Sequence, residues 1–403
     1  MAITFAQQAQ LFTPASNPVL WVFSSDQTAQ PNFSFKVQLW INGALFGTYE
    51  LYPMRGTFCK FDASEYVRSF VRTHMQGTAG FPFESQDQAV DVQIYVFESY
   101  GTPPEIITAS EERSDGNYVF NGALRYEQFY SYNYQQYWLN FANGMQPQIM
   151  TLFPMSEKQF TPYRDPFIVG ILAERALEYY ELQLDIYDVT GTLTYSYIDV
   201  INLDFIVNML DISPANMDAQ GWTSVVEWDD CYYYEVTLIA TQLASPFTSQ
   251  STVPFRLYLD RSCSRFEDMR LYWVNKFGVI DQYSFNKLSI ESSSIKAYDY
   301  QVQQGTWGDG FYDYNLNAPE KKLSMKSAED RITINSDWMK PAVQNWLVRE
   351  LYESVQVWLY KDGAFQPVVV ENNSSILKSR FKDGLIQESV SIMVTWSYRS
   401  QLN

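Results

Sequence analysis

The stretch "EWDDCYYYEV" (227–236) sets two carboxylates, Asp229 and Asp230, beside a thiol, Cys231. A carboxylate pair is the machinery of glycoside hydrolysis, in which acid and base stand about 5–9.5 Å apart. Neighbours in a strand point to opposite faces, so Asp229 and Asp230 cannot be that pair by themselves. The stretch predicts a solvated turn ahead of a strand. His74 is the one histidine in the chain, which excludes arrangements that need two, and its place after an apolar helical pattern suits a helix C-terminus. The cysteines Cys59, Cys231 and Cys263 are odd in number and widely spaced, with no C-x-x-C, so neither a zinc site nor a disulfide framework is expected. Three reduced, mostly buried thiols are the expectation. The glycines of "QQGTWGDGFYDYN" (303–315) lack dinucleotide-fingerprint spacing and predict an exposed loop. No phosphate-binding or calcium-binding loop pattern occurs. No catalytic, cofactor-binding or metal-binding residue is assigned, and no enzyme activity is expected.

The composition points elsewhere. Aromatic residues make up 17% of the 403, with 30 Tyr, 27 Phe and 11 Trp. Flat rings suit half-buried pleated surfaces and protein interfaces. The net charge of −18 repels phosphate backbones, so no specific nucleic-acid binding is expected. Acidic charge of this size also keeps an aromatic chain in solution. Glu111, Glu112, Asp115, Asp229 and Asp230 lie in polar stretches and are expected to face solvent. The first 25 residues carry no Lys or Arg and no long apolar core, so a secretory signal is not expected, and no apolar run is long enough to span a bilayer.

Strand patterns dominate. "VLWVF" (19–23), "FSFKVQLWI" (33–41), "LFGTYEL" (45–51) and "VDVQIYVF" (90–97) are bounded by turn residues. A helix is predicted near 62–75, with Asp62 as its cap and Tyr66, Val67, Phe70 and Val71 on its apolar face. Residues 102–116, polar and carrying two prolines, predict a linker. A hairpin is expected across Thr190-Gly191 in 179–198, with further strands at 232–240 and 254–260. Pro341 opens a second helix over 341–353 with Val343, Trp346, Leu347 and Leu351 on one face. Strands at 355–360 and 368–370 flank a "KDG" turn, and a second "KDG" (382–384) leads into a last strand in which Ile386, Val390, Ile392, Val394 and Trp396 share a face. "LWIN" (39–42), "YWLN" (137–140) and "YWVN" (272–275) each precede a glycine and suggest hairpin corners of successive modules.

The expected fold is therefore mainly β: two or three antiparallel β-sandwich modules, immunoglobulin-like or related, with short helices near 62–75 and 341–353. The expected domains are 1–113, 117–265 and 266–403.

Three stretches carry a resemblance. "NPVLWVFSSDQTAQPNFSFKVQLWINGALFGTYELYP…FDASEYVRSFV" runs from Asn17 to Val71, and "YVFNGALRYEQFYSYNYQQY" from Tyr118 to Tyr137. The third joins "LYWVNKFGVIDQYSFNKLS", "ITINSDWMKPAVQNWLVRELYESVQVWLY" and "FKDGLIQESVSIMVTW". Together they resemble virion tail proteins of the crAss-like and related tailed phages of Bacteroidetes-type hosts. A departure stands at "PMRGTFCKF" (53–61), where the first module would carry a Gly-rich turn. The resemblance implies a non-enzymatic tail hub, ring or baseplate subunit without cofactors. It implies assembly in the host cytoplasm as a ring-like oligomer of copies of itself, in contact with neighbouring tail proteins and without membrane insertion. A carbohydrate- or receptor-binding tail module, and after it a glycosidase, are the alternatives that exposed aromatics and carboxylates leave open.

Overall fold

The computed structural model describes residues 3–54, 56–75, 87–141, 143–173, 178–203, 205–242, 248–261, 265–303, 305–313, 317, 320–371, 385–395 and 398–399. The chain is mainly β, as its alternation predicts, and divides into two compact units. One unit holds Met1–Ser262 with Val274–Gln282, the other Cys263–Trp273 with Tyr283–Asn403.

The first unit contains two apolar clusters, each between two sheets. In the N-terminal cluster, "SFKVQLWI" (Ser34–Ile41) buries Phe35, Val37, Leu39 and Ile41 on one side. It pairs antiparallel with Ala44–Leu51 and with Ala89–Gly101. Facing it, the sheet Thr4–Gln7, Leu20–Ser24, Phe58–Asp62 contributes Trp21, Phe23 and Phe61 to the same cluster. The Phe23 and Phe35 rings meet edge to face, with centroids 5.0 Å apart. Asn42 and Gly43 turn the hairpin with φ of 50° and 73°, the paired positive angles a two-residue turn requires.

Two expectations fail here for physical reasons. The helix spans only Ser64–Val67, followed by a 3-10 turn at Arg68–Phe70, and Val71 is extended. From there Val71 and Thr73 are buried while Arg72 is exposed, a period of two that overrides the helical pattern. Ala63 and not Asp62 is the N-cap; Asp62 stands one residue earlier, its Oδ1 accepting the Ser64 N–H at 3.0 Å and the Val19 N–H at 3.1 Å. The polar stretch 102–116, which predicts a linker, holds the strand Pro104–Arg113, paired antiparallel with Ala89–Gly101. Among the described residues it has a single strand partner and is solvated over most of its length, so neither polarity nor a terminal proline excludes it from a sheet.

In the second cluster, the strands Glu178–Tyr187, Leu193–Ile201, Tyr233–Gln242 and Phe255–Leu259 form one layer. Leu182, Leu184, Ile186, Tyr234, Val236 and Leu238 point from it toward Val169, Ile171 and Leu210 of the smaller sheet. The predicted turn holds: Asp188 Oδ1 accepts the N–H groups of Thr190 and Thr192, and Gly191 has φ 80°. "YWLN" is not a hairpin corner. Trp138–Leu139 pairs parallel with Ile168–Ala173, and the chain leaves through a turn closed by Asn143 N–H to Asn140 C=O at 3.0 Å. "YWVN" is one: Asn275 Oδ1 accepts from Phe277 and Val279, with Gly278 at φ 72°.

In the second unit, the sheet runs Met269–Val274, Val357–Lys361, Ala364–Val370, Ser389–Val394, Lys321–Asn335, Ile290–Gln301. The helix Pro341–Leu351 buries Val343, Trp346, Leu347 and Leu351, the predicted face. Asp362 and Gly363 make the expected tight turn. Ile386, Val390 and Ile392 are buried, while Trp396 and the "KDG" at 382–384 lie outside the described residues. The glycine stretch is a miniature hairpin and not an open loop: Thr306–Gly308 pairs with Phe311–Asp313 across Asp309-Gly310, both at positive φ.

Candidate assembly surface

The chemistry-bearing residues scatter. Asp229 ends a short helix, Val225–Asp229, and Asp230 caps it; both are exposed. The expected turn is helical because Ser224 and Glu227 form a capping box, Glu227 Oε2 accepting the Ser224 N–H at 2.8 Å. Glu111, Glu112 and Asp115 are exposed as expected. His74 lies beyond the shortened helix, its Nε2 3.8 Å from Asp87 Oδ2 with both side chains exposed. Among the described residues, no three His, Cys, Asp or Glu side chains group as a metal site would require. Asp229 does share a cleft of about 400 Å³ with Asp260, beside Tyr163, Arg164, Trp228 and Arg261. Sequence pairing of Asp229 with Asp230 misses this partner, which arrives from the end of the strand Phe255–Leu259.

Cys59 and Cys231 are buried thiols, and Cys263 lies outside the described residues. Burial pushes Cys231 from an ordinary value of 9.0 up to about 12, against a smaller lowering by Arg261. An unfolded thiol ionises near 9, so the stability this group confers is complete below that pH and is lost as pH rises toward 12. Native Cys231 is expected to resist Ellman's reagent at pH 8 and to react once the chain is unfolded in urea. Rapid labelling of the native chain at Cys231 would contradict this placement.

The most distinctive surface is a long two-stranded arm in the second unit. Ile290–Gln301 and Lys321–Asn335 are joined by twelve cross-strand pairs, from Ile290↔Thr333 to Gln301↔Lys321. At about 3.4 Å per residue that is a ribbon about 40 Å long. Its base is widened by Ser389–Val394 against Arg331–Asn335, and by Tyr398–Arg399 against Ser327 and Ala328. Beyond Ser327, Lys321–Asn335 is paired only with Ile290–Gln301 among the described residues. The arm exposes Ile295 (66%), Tyr298, Tyr300, Leu323 and Met325, and its tip hairpin exposes Trp307 (71%) and Phe311 (63%).

Alternation within each strand puts apolar side chains on both faces of the ribbon. The surface ion pairs Lys296–Glu329 at 2.8 Å and Lys321–Asp299 at 3.5 Å link its strands, each worth about 0–1 kcal/mol. Two strands alone are marginal in water, and a row of exposed rings and aliphatics is an interaction surface. From Ile290 to Asn335 five lysines and arginines stand against seven carboxylates, so the arm carries a net charge of only −2 within a chain of net charge −18. An arm with so little charge can approach the acidic surface of another copy with little like-charge repulsion. No strand is expected from the sequence at 290–301 or 321–335, because serines and charged residues interrupt the apolar alternation there.

Neither a family model nor a curated protein matches this chain.

Proposed function

We propose that the protein is a non-enzymatic structural component of a tailed-phage virion, a tail hub or ring subunit that assembles with copies of itself around the tail axis. The observation that carries this is the arm: a strand ribbon apolar on both faces, reaching past the sheet that anchors it. Support comes also from the sequence resemblance in "LYWVNKFGVIDQYSFNKLS", from the aromatic excess, and from the absence of any histidine, cysteine or phosphate-loop motif with catalytic spacing. Heterologous contacts in which an arm of one copy lies on a different surface of the next generate rings when the rotation between copies closes.

A carbohydrate-binding role has one supporting observation, the cleft in which Asp229 and Asp260 meet Tyr163 and Trp228. Trp228 is only 2% exposed and its Nε1 donates to Asp218 Oδ1 at 2.8 Å, so it offers no open ring face to a sugar. Arm-driven assembly is therefore the better supported of the two.

Trp307→Ser combined with Phe311→Ser removes the two most exposed rings of the arm tip and leaves the Asp309-Gly310 turn intact. Sedimentation velocity of the full chain is expected to show discrete higher oligomers for the parent protein. The double variant should weaken that assembly at least tenfold, the loss of two aromatic anchors of about 1–2 kcal/mol each. An unchanged distribution would remove the arm from the assembly.

A further inference from the structure

We infer that the strand Leu193–Ile201 is a self-pairing edge, docking antiparallel on the same strand of a second copy so that the sheet continues across a two-fold axis at Tyr197.

Leu193–Ile201 ends the sheet that runs Phe160–Thr161, Phe255–Leu259, Tyr233–Gln242, Glu178–Tyr187, Leu193–Ile201. The backbone fixes which groups face outward. The Val200 N–H is taken by Asp199 Oδ1 at 2.8 Å and so points away from Glu178–Tyr187. In a strand the amides at i and i+2 share a side, which places those of Ser196 and Ile198 on the same open edge. On the solvent face above that edge, Ile198 is 51% and Val200 58% exposed.

Exposed edges in soluble proteins usually carry charge, proline or a bulge against pairing with another chain. The neighbouring edges of this unit do. Pro104–Arg113 has Pro104, Glu105, Glu111, Glu112 and Arg113, and Ala44–Leu51 has Gly47 and a Glu50 bonded to Lys36. "LTYSYIDVI" has one charge, Asp199, whose other oxygen is held by Trp222 Nε1 at 2.9 Å. Its β-branched and aromatic residues are those that favour pairing.

Self-complementarity selects the occupant. With Tyr197 on the two-fold axis, Ser196 faces Ile198, Thr194 faces Val200 and Tyr195 faces Asp199. The outward amides of Ser196 and Ile198 then form hydrogen-bonded pairs, and Tyr197 meets Tyr197 in a non-hydrogen-bonded pair. The single carboxylate of each copy opposes a tyrosine, so no like charges meet. This pairing uses a surface other than the arm and does not depend on a virion role.

The test uses the full chain with Cys263→Ser, since Cys59 and Cys231 are buried. A non-hydrogen-bonded antiparallel pair sets Cα atoms about 4.5 Å apart, within disulfide reach. Tyr197→Cys is expected to give a covalent dimer under mild oxidation, while Thr190→Cys in the adjacent turn gives no covalent dimer. Ile198→Lys, at an exposed site that leaves the circular dichroism spectrum unchanged, should weaken self-association of the otherwise unaltered chain at least tenfold in sedimentation. The Trp307→Ser, Phe311→Ser variant should retain the Tyr197→Cys crosslink. A Tyr197→Cys chain that crosslinks no better than Thr190→Cys, or an Ile198→Lys chain that associates like its parent, would overturn the inference.

Discussion

Replacing Gly278 with alanine is expected to destabilise the first unit by about 4 kcal/mol or more, at the exceptional end of single substitutions. Gly278 has φ +72°, a region that costs other residues about 1–2 kcal/mol. The larger effect is steric. A Cβ there would sit 1.3 Å from the Asn121 carbonyl oxygen, which is backbone and cannot rotate away. Asn121 is itself held, its N–H donating to the Gln88 carbonyl at 2.9 Å and its Nδ2 to Thr73 Oγ1 at 2.8 Å. The Lys276 carbonyl accepts the Ala123 N–H at 2.8 Å, and the Gly278 carbonyl accepts from Thr73. The turn "NKFG" therefore cannot shift without giving up these bonds. Gly310→Ala is the internal control: Gly310 also has positive φ, at +88°, but a Cβ there meets nothing within 4 Å. Urea denaturation followed by tryptophan fluorescence should show a loss several-fold larger for Gly278→Ala than for Gly310→Ala. Equal losses would mean that the close approach to Asn121 is not present in solution.

Trp273→Ala should have the next largest effect, about 3–5 kcal/mol on the second unit. The indole is fully buried and packs on Trp346 with ring centroids 5.3 Å apart. Trp346 lies on the helix Pro341–Leu351, and Trp273 pairs with Val357 of the adjacent strand, so one side chain joins helix to sheet. Its removal leaves a large cavity under the helix. Trp273→Phe keeps a ring in place and should lose less than half as much. Comparable losses for the two would place the indole outside the core.

Much of the fold was legible because one buried face imposes period two. In "SFKVQLWI" Phe35, Val37, Leu39 and Ile41 are inward, and Asn42-Gly43, Thr190-Gly191 and Asp362-Gly363 mark turns through their backbone preferences. The helix at Pro341 was legible through its capping proline and its apolar stripe. What stayed hidden depended on partners distant in the chain. Pro104–Arg113 is a strand despite its polarity because Ala89–Gly101 supplies its hydrogen bonds. "YWLN" differs from "YWVN" only by leucine for valine, yet tertiary pairing with Ile168–Ala173 makes it a short parallel strand. Asp229 finds Asp260, thirty-one positions on, and not its neighbour. The open edge at Leu193–Ile201 was hidden for a related reason. Local pattern encodes that a strand is apolar, and only topology decides whether anything covers it.

The virion role is tested most directly by quantitative mass spectrometry of purified phage particles, with copy number calibrated against the portal or major capsid subunit. The proposed role predicts this chain in the particle at several copies, in a fixed ratio set by the symmetry of a tail ring. Absence from purified particles, or a single copy per particle, would contradict it.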